Sequence, residues 1–230
     1  MIVLALQPCL ADDTKEVKQA IELEHYHRRH DAKLHLDNAI KQNPNDLSAH
    51  LHRGRILLQL DDPNGALSDS EFVIKVDGTS AWAYEIHSRA MYDLGKPEQA
   101  IADMSKSIEL SKEARYKKGR LYTRAQLYRY IKQPKKALPD LAAALAIEKT
   151  PTKNFYYQRG NAYYDCGDYK KAVDDVTSAL ALMKPGDPEQ GFYHGLRARS
   201  YLKMGRKDLA EPDLRKANMA AKNELGDMLN

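Results

Sequence analysis

The stretch EHYHRRHDAKLH, Glu24 to His35, gathers four of the eight histidines of this 230-residue chain. Imidazole clusters bind metals when their rings converge from one face. Arg28 and Arg29 stand between these rings, and adjacent cations repel a metal ion. The residues therefore read as solvated histidines, at most a pH-sensitive patch, with no metal site. Two cysteines, Cys9 and Cys166, make neither a disulfide framework nor a zinc-type pair. No Gly-rich phosphate loop, His-Glu-x-x-His or nucleophile motif occurs. The chain is thus read as non-enzymatic and without a cofactor, with Cys166 a packed thiol before a turn glycine.

Bulk properties narrow the partners. The composition is 43% hydrophobic and 30% charged, with a net charge of +4 and the two signs interspersed. That balance supplies a core and a solvated surface but no general nucleic-acid footprint. No stretch approaches the ~20 apolar residues that span a bilayer. The opening MIVLALQPCLADD leaves two readings open: the end of a secretory signal, or an apolar segment packed on the first helix. Under the first the protein is periplasmic or secreted; otherwise it is cytoplasmic.

The rest of the chain is periodic. A small residue followed twelve later by alanine recurs six times: Ala20/Ala32, Gly54/Ala66, Ser88/Ala100, Ala125/Ala137, Gly160/Ala172 and Ala198/Ala210. Seven beyond each alanine stands another short side chain: Ala39, Val73, Ser107, Ala144, Ala179 and Ala217. Three beyond each first small residue is a large one: Leu23, Leu57, Met91, Tyr128, Tyr163 and Tyr201. Two helices of a hairpin approach closely only where facing side chains are short, with large neighbours filling the groove.

This register resembles the tetratricopeptide repeat, a helix-turn-helix unit of 34 residues. The resemblance covers 13–224 as six units: 13–46, 47–80, 81–117, 118–152, 153–190 and 191–224. Residues 1–12 are left as an apolar segment and 225–230 as a short tail. It implies an all-α fold, a right-handed superhelical solenoid of tandem hairpins. Pro63, Pro97 and Pro134 fit the first turn of second helices, and Gly95, Gly167 and Gly205 fit left-handed turns between paired helices. Pro139 and Pro212 fall inside second helices, where each removes one backbone bond. Extra residues after units three, four and five are expected to lengthen the turns there.

Charged residues keep a second interval. Arg53, His87, Arg124, Arg159 and Arg197 each precede an acid by sixteen: Asp69, Asp103, Asp140, Asp175 and Asp213. The spacing joins the two helices of one hairpin, so these are read as structural ion pairs rather than ligand contacts. Unit one has Gln19 and His35 at these places and should lack the bridge. Tyr128, Tyr163 and Tyr201, at the hairpin-packing place, are read as core.

By the resemblance, residues two, five, nine and twelve places into each unit line a concave groove. The groove set is Arg55, Trp82, Glu85, Arg89, Tyr92, Tyr122, Gln126, Arg129, Tyr157, Asn161, Tyr164, Phe192 and Arg199. Aromatic, amide and arginine side chains suit an extended peptide. The co-chaperone clamp of Lys and Asn for terminal carboxylates is absent: its places hold, for instance, Leu51, Arg55, Ile86, Gly119 and Thr123. The leading expectation is a scaffold binding an extended or helical protein segment, of acidic character. The alternative is a self-assembling homo-oligomer, joined through Met219, Ala220, Leu225 and Leu229 at an uncapped end.

Overall fold

The computed structural model describes residues 13–227, with side chains to residue 217. Residues 1–12 and the side chains of Met219, Ala220, Leu225 and Leu229 lie outside the described residues. Among the described residues are twelve α-helices and no strand. They are α1 (Lys15–His25), α2 (Arg29–Gln42), α3 (Leu47–Gln59), α4 (Pro63–Val76), α5 (Ala81–Asp93) and α6 (Pro97–Leu110). There follow α7 (Ala114–Tyr130), α8 (Pro134–Glu148), α9 (Lys153–Asp165), α10 (Tyr169–Ala181), α11 (Gln190–Lys203) and α12 (Lys207–Asp227). Consecutive helices pair into six antiparallel hairpins.

Capping chemistry sets the starts. Thr14, Asp46, Ser80 and Thr152 each accept a backbone N–H from the first turn of α1, α3, α5 and α9. Proline occupies the first position of α4, α6 and α8, where no intrahelical donor is lost.

Every hairpin turn is closed alike. The residues at positive φ are His27, Asp61, Gly95, Lys132, Gly167 and Gly205, with φ from 60° to 82°. The next residue's N–H donates back to a carbonyl five residues earlier, at 2.8–2.9 Å. The acceptors are Leu23, Leu57, Met91, Tyr128, Tyr163 and Tyr201. The large residue that fills each hairpin therefore also closes its turn.

The short side chains lie between paired helices and are buried except for half-buried Ala217, with Ala32, Ala66, Ala100, Ala137, Ala172 and Ala210 buried completely. A Cβ added at Gly54 would meet Ile86 Cγ2 at 3.2 Å, and one at Gly160 would meet Val176 Cγ2 at the same distance. Ser88 uses the proximity directly, its hydroxyl donating across the hairpin to the Ala100 carbonyl at 2.7 Å.

The chain divides into two compact units, one ending at Arg120 and one beginning at Leu121. In the first, α1 touches α3 and α3 touches α5. Among the described residues, successive second helices make no comparable contact. The hairpins of that unit fan about their first helices, which form its inner wall. In the second unit, α9 touches α11 in the same way.

Several details depart from the sequence reading. The extra residues after the third hairpin lengthen α7 at its start, leaving only residues 111–113 as the turn. The turn after α8, 149–152, is no longer than 43–46 after α2, and only 182–189 after α10 is extended. The expected boundaries at 117/118, 190/191 and 224/225 consequently fall inside helices. Pro139 and Pro212, by contrast, lie inside α8 and α12 as the sequence reading placed them. Tyr128, Tyr163 and Tyr201 are half-buried rather than fully buried, and Tyr128 packs against the core cluster of Ala125, Ala137 and Leu141. Lys136 lies 5.7 Å from the centroid of the Tyr128 ring and Lys171 5.3 Å from that of Tyr163.

Two stability outcomes follow. Ala172→Leu forces a branched side chain into a filled interface and should cost about 1–3 kcal/mol in denaturant unfolding. Lys132→Gly relieves a left-handed lysine, worth about 1–2 kcal/mol, against the backbone entropy of glycine. A net gain of about 0.5–1 kcal/mol is expected, and a loss would contradict the turn geometry.

Candidate functional site

The charged interval forms a ladder of hairpin ties. Arg53 Nε and Nη2 donate to Asp69 at 2.8 and 2.7 Å. Arg124 grips Asp140 at 2.8 and 2.6 Å, Arg159 grips Asp175 at 2.8 and 2.7 Å, and Arg197 grips Asp213 at 2.7 and 2.8 Å. His87 Nδ1 meets Asp103 at 2.8 Å. The four arginine-bound aspartates are at most 5% exposed. In the second and sixth hairpins a histidine three residues before the arginine adds a further tie. His50 Nδ1 lies 2.7 Å from Asp69, and His194 Nδ1 2.7 Å from Asp213. Burial pushes the Asp69 and Asp213 carboxyls up, but their arginine and histidine partners outweigh it and hold both below the usual value. The first hairpin lacks the Arg–Asp tie but reverses the histidine one, with His35 Nδ1 2.6 Å from Glu16.

The other clustered histidines do not converge. His25 ends α1, His27 holds the turn, and His30 sits in the first turn of α2 rather than between the helices; all three are exposed. Among the described residues, no three His, Cys, Asp or Glu side chains gather for a metal. Burial pushes the Cys166 thiol up, which disfavours the thiolate.

On the first unit's inner wall, Arg55, Trp82, Glu85 and Arg89 line one narrow cleft with Leu51 and Ile86. Arg55 is 3% exposed and donates to Glu24 of the preceding hairpin. Glu85 accepts from Arg120 Nε at 2.8 Å, and the Arg120 guanidinium lies 4.6 Å from the Trp82 ring centroid. Tyr116 packs edge-on to Trp82 at 4.8 Å. Tyr92 stands outside this cleft, 39% exposed at the end of α5.

In the second unit, Arg129, Tyr157, Tyr164 and Arg199 engage neighbouring hairpins, while Tyr122 and Asn161 bond within their own. Tyr122 donates to Glu148 at 3.1 Å; burial and that carboxylate keep its hydroxyl well above the ordinary range. Arg129 bridges to Asp165 at 2.7 Å. Tyr157 stacks on Tyr193 at 4.5 Å, and burial pushes the Tyr193 hydroxyl up to about 12. Asn161 donates to the Tyr157 carbonyl, and Arg199 lies over Tyr164 at 5.4 Å. Gln126 is half-buried, whereas Phe192 is 60% exposed.

A tetratricopeptide repeat family model matches residues 18–70, and a second matches 154–182 and 193–224. With six hairpins in register, these matches decide the family. The chain is a tetratricopeptide repeat protein. Solved structures agree on the fold. A thermophilic repeat protein of Thermus thermophilus is 22% identical, covering 82% of this chain and 97% of its own, with a TM-score of 0.60. A repeat protein from Parabacteroides merdae is 17% identical over 90% and 78%, at 0.73. YrrB, described as having an unusual peptide-binding site, is 18% identical over 83% and 94%, at 0.64. No curated protein sequence matches significantly.

Four tetratricopeptide-repeat residues escaped the sequence register: Glu24, His50, His52 and Arg120. Glu24, His50 and Arg120 owe their places to partners in other helices and His52 to Arg55 one turn on in α3, and only the His-x-x-Arg spacing shared by His50/Arg53 and His194/Arg197 was a readable signal. His52 is 3% exposed; burial and then Arg55 outweigh Asp13 and push its imidazole down to about 4.

That shift makes the repeat array pH-sensitive. Between about 4 and the unfolded value of 6.5, the unfolded chain binds a proton at His52 that the folded chain refuses, so stability rises with pH across this window. His52→Gln should remove about 2 kcal/mol of the stability difference between pH 7 and pH 5. An unchanged difference in urea titrations would contradict the burial of His52. The depressed Asp69 and Asp213 act lower, their contribution lost only as pH falls below about 3.9.

Proposed function

We propose that this scaffold is a non-catalytic adaptor whose first-helix faces bind an extended or helical segment of a partner protein, with acidic character. The fold itself is that of a protein-interaction scaffold. The convergence of Arg55, Trp82, Glu85 and Arg89 on one cleft of the first unit's inner wall supports the reading most. Buried aromatics with a guanidinium are the chemistry of binding hot spots. YrrB carries a peptide-binding site on a similar fold, which supports the same use here. No described helix is long and apolar enough to cross a membrane, and the interspersed charges favour protein over nucleic acid.

Tyr92 and Phe192 are 39% and 60% exposed. Tyr92→Ala combined with Phe192→Ala should weaken capture of the partner at least about tenfold, more than ~1.4 kcal/mol. Helicity and melting temperature should stay unchanged. Undiminished capture would remove the groove assignment.

A second reading is self-assembly through the last hairpin, where Leu202, Met204, Leu209 and Leu214 are 37–44% exposed. A mass by sedimentation that stays monomeric at every concentration eliminates it.

A further inference from the structure

The first-unit cleft contains a buried cation whose donors outnumber its acceptors. The Arg55 side chain is 4% exposed. Its Nη2 donates to Glu24 and lies 3.2 Å from Nδ1 of His52. Nε and Nη1 are also buried, yet neither has an acceptor among the protein's own groups. Folding strips water from a guanidinium only at a cost, and native structures normally repay it with hydrogen bonds.

Nearby acids are committed elsewhere. Glu24 spends its second oxygen on Gln59 Nε2 at 3.1 Å. Glu85, the only acid lining the cleft among the described residues, accepts from Arg120. His52 is neutral at physiological pH, because burial pushes it down to about 4, and it can only complement one Arg55 nitrogen. What the cleft lacks is an acceptor, and its other walls are apolar: Leu51, Leu58, Ile86 and the indole of Trp82.

We propose that this cleft receives the side-chain carboxylate of a glutamate within the partner segment. The methylenes lie against Leu51, Leu58 and Trp82, and the oxygens accept from Arg55, with Arg89 at the mouth. This assignment rests on the groove-binding reading and specifies its chemistry at one place: charge-assisted hydrogen bonds to a preorganised, desolvated guanidinium select an acidic residue over its amide.

Trp82 is the chain's single tryptophan, so its fluorescence reports on this cleft alone. The full chain is titrated with acetyl-Ala-Leu-Glu-Leu-Ala-amide, with its Gln counterpart, and with the Gln peptide bearing a free C-terminal carboxylate. The Glu peptide should saturate the Trp82 signal at concentrations at least tenfold below either Gln peptide. Arg55→Met should erase that preference. Should loss of Arg55 unfold the unit by orphaning Glu24, the Glu24→Gln/Arg55→Met double variant removes the stranded charge and repeats the test. Equal response to the Glu and Gln peptides overturns the carboxylate site while leaving groove binding intact. A preference for the free terminus reassigns the cleft to chain ends and overturns it too. Silence toward all three peptides overturns the site, and the Tyr92 and Phe192 variants still judge the groove separately.

Discussion

The architecture depends on how closely two helices of a hairpin can approach. At Gly160 a methyl group would already crowd Val176 of the paired helix, at Gly54 it would touch Asp69 of the paired helix and crowd Ile86 of the next hairpin, and the remaining hairpins carry Ala or Ser at this place. Close packing of this kind is unforgiving of added volume but makes each hairpin a rigid plank. It also places the carbonyls of Leu23, Leu57, Met91, Tyr128, Tyr163 and Tyr201 where the turn N–H can reach them. Backbone closure and side-chain packing thus converge on one residue per hairpin. That coincidence explains why three of six turns tolerate His27, Asp61 or Lys132 in a conformation glycine prefers.

The same approach creates the ion-pair ladder. Asp69 and Asp175 sit directly beside the small residues: their Cβ atoms lie 3.4 and 3.5 Å from where a methyl would stand on Gly54 and Gly160. A carboxylate drawn that far into a helix interface must be paired, because breaking a buried pair strands a charge. Arginine supplies a two-pronged grip from the first helix, and its stem covers apolar surface on the way. In the second and sixth hairpins histidine adds a further partner to the Oδ1 of Asp69 and Asp213 that arginine already holds. The ladder belongs to the scaffold and leaves little for a ligand.

How much of this could be read in advance follows from the range of each interaction. The small-residue register, the turn positions and the sixteen-residue Arg–Asp interval are all confined to one hairpin, so they recur with fixed spacing and can be counted. Helix length is less readable: the residues inserted before α7 contain no breaker and extend the helix by its own propensity. The turn 182–189, holding Pro185, Gly186 and Pro188, takes up the later insertion. Contacts between hairpins were the least visible. Arg55 finds Glu24 thirty-one residues back, Arg120 finds Glu85 thirty-five back, and Arg129 finds Asp165 thirty-six ahead. These intervals vary with the insertions, so no period reveals them.

The between-hairpin contacts also revise what the inner walls can offer a partner. A register of groove positions suggests a broad basic and aromatic surface. In the second unit, however, Arg129, Tyr157, Tyr164 and Arg199 are largely spent on holding successive first helices together. Such residues shape a wall without being free to grip anything, and replacing them would loosen the stack as well as any complex. The first unit differs because Arg55 is held at one end only. Its burial removes the side-chain entropy that a surface arginine would lose on binding, and its remaining donors are already stripped of water. On the proposed reading, selectivity concentrates where scaffold and recognition share a side chain, at the junction of α3 and α5.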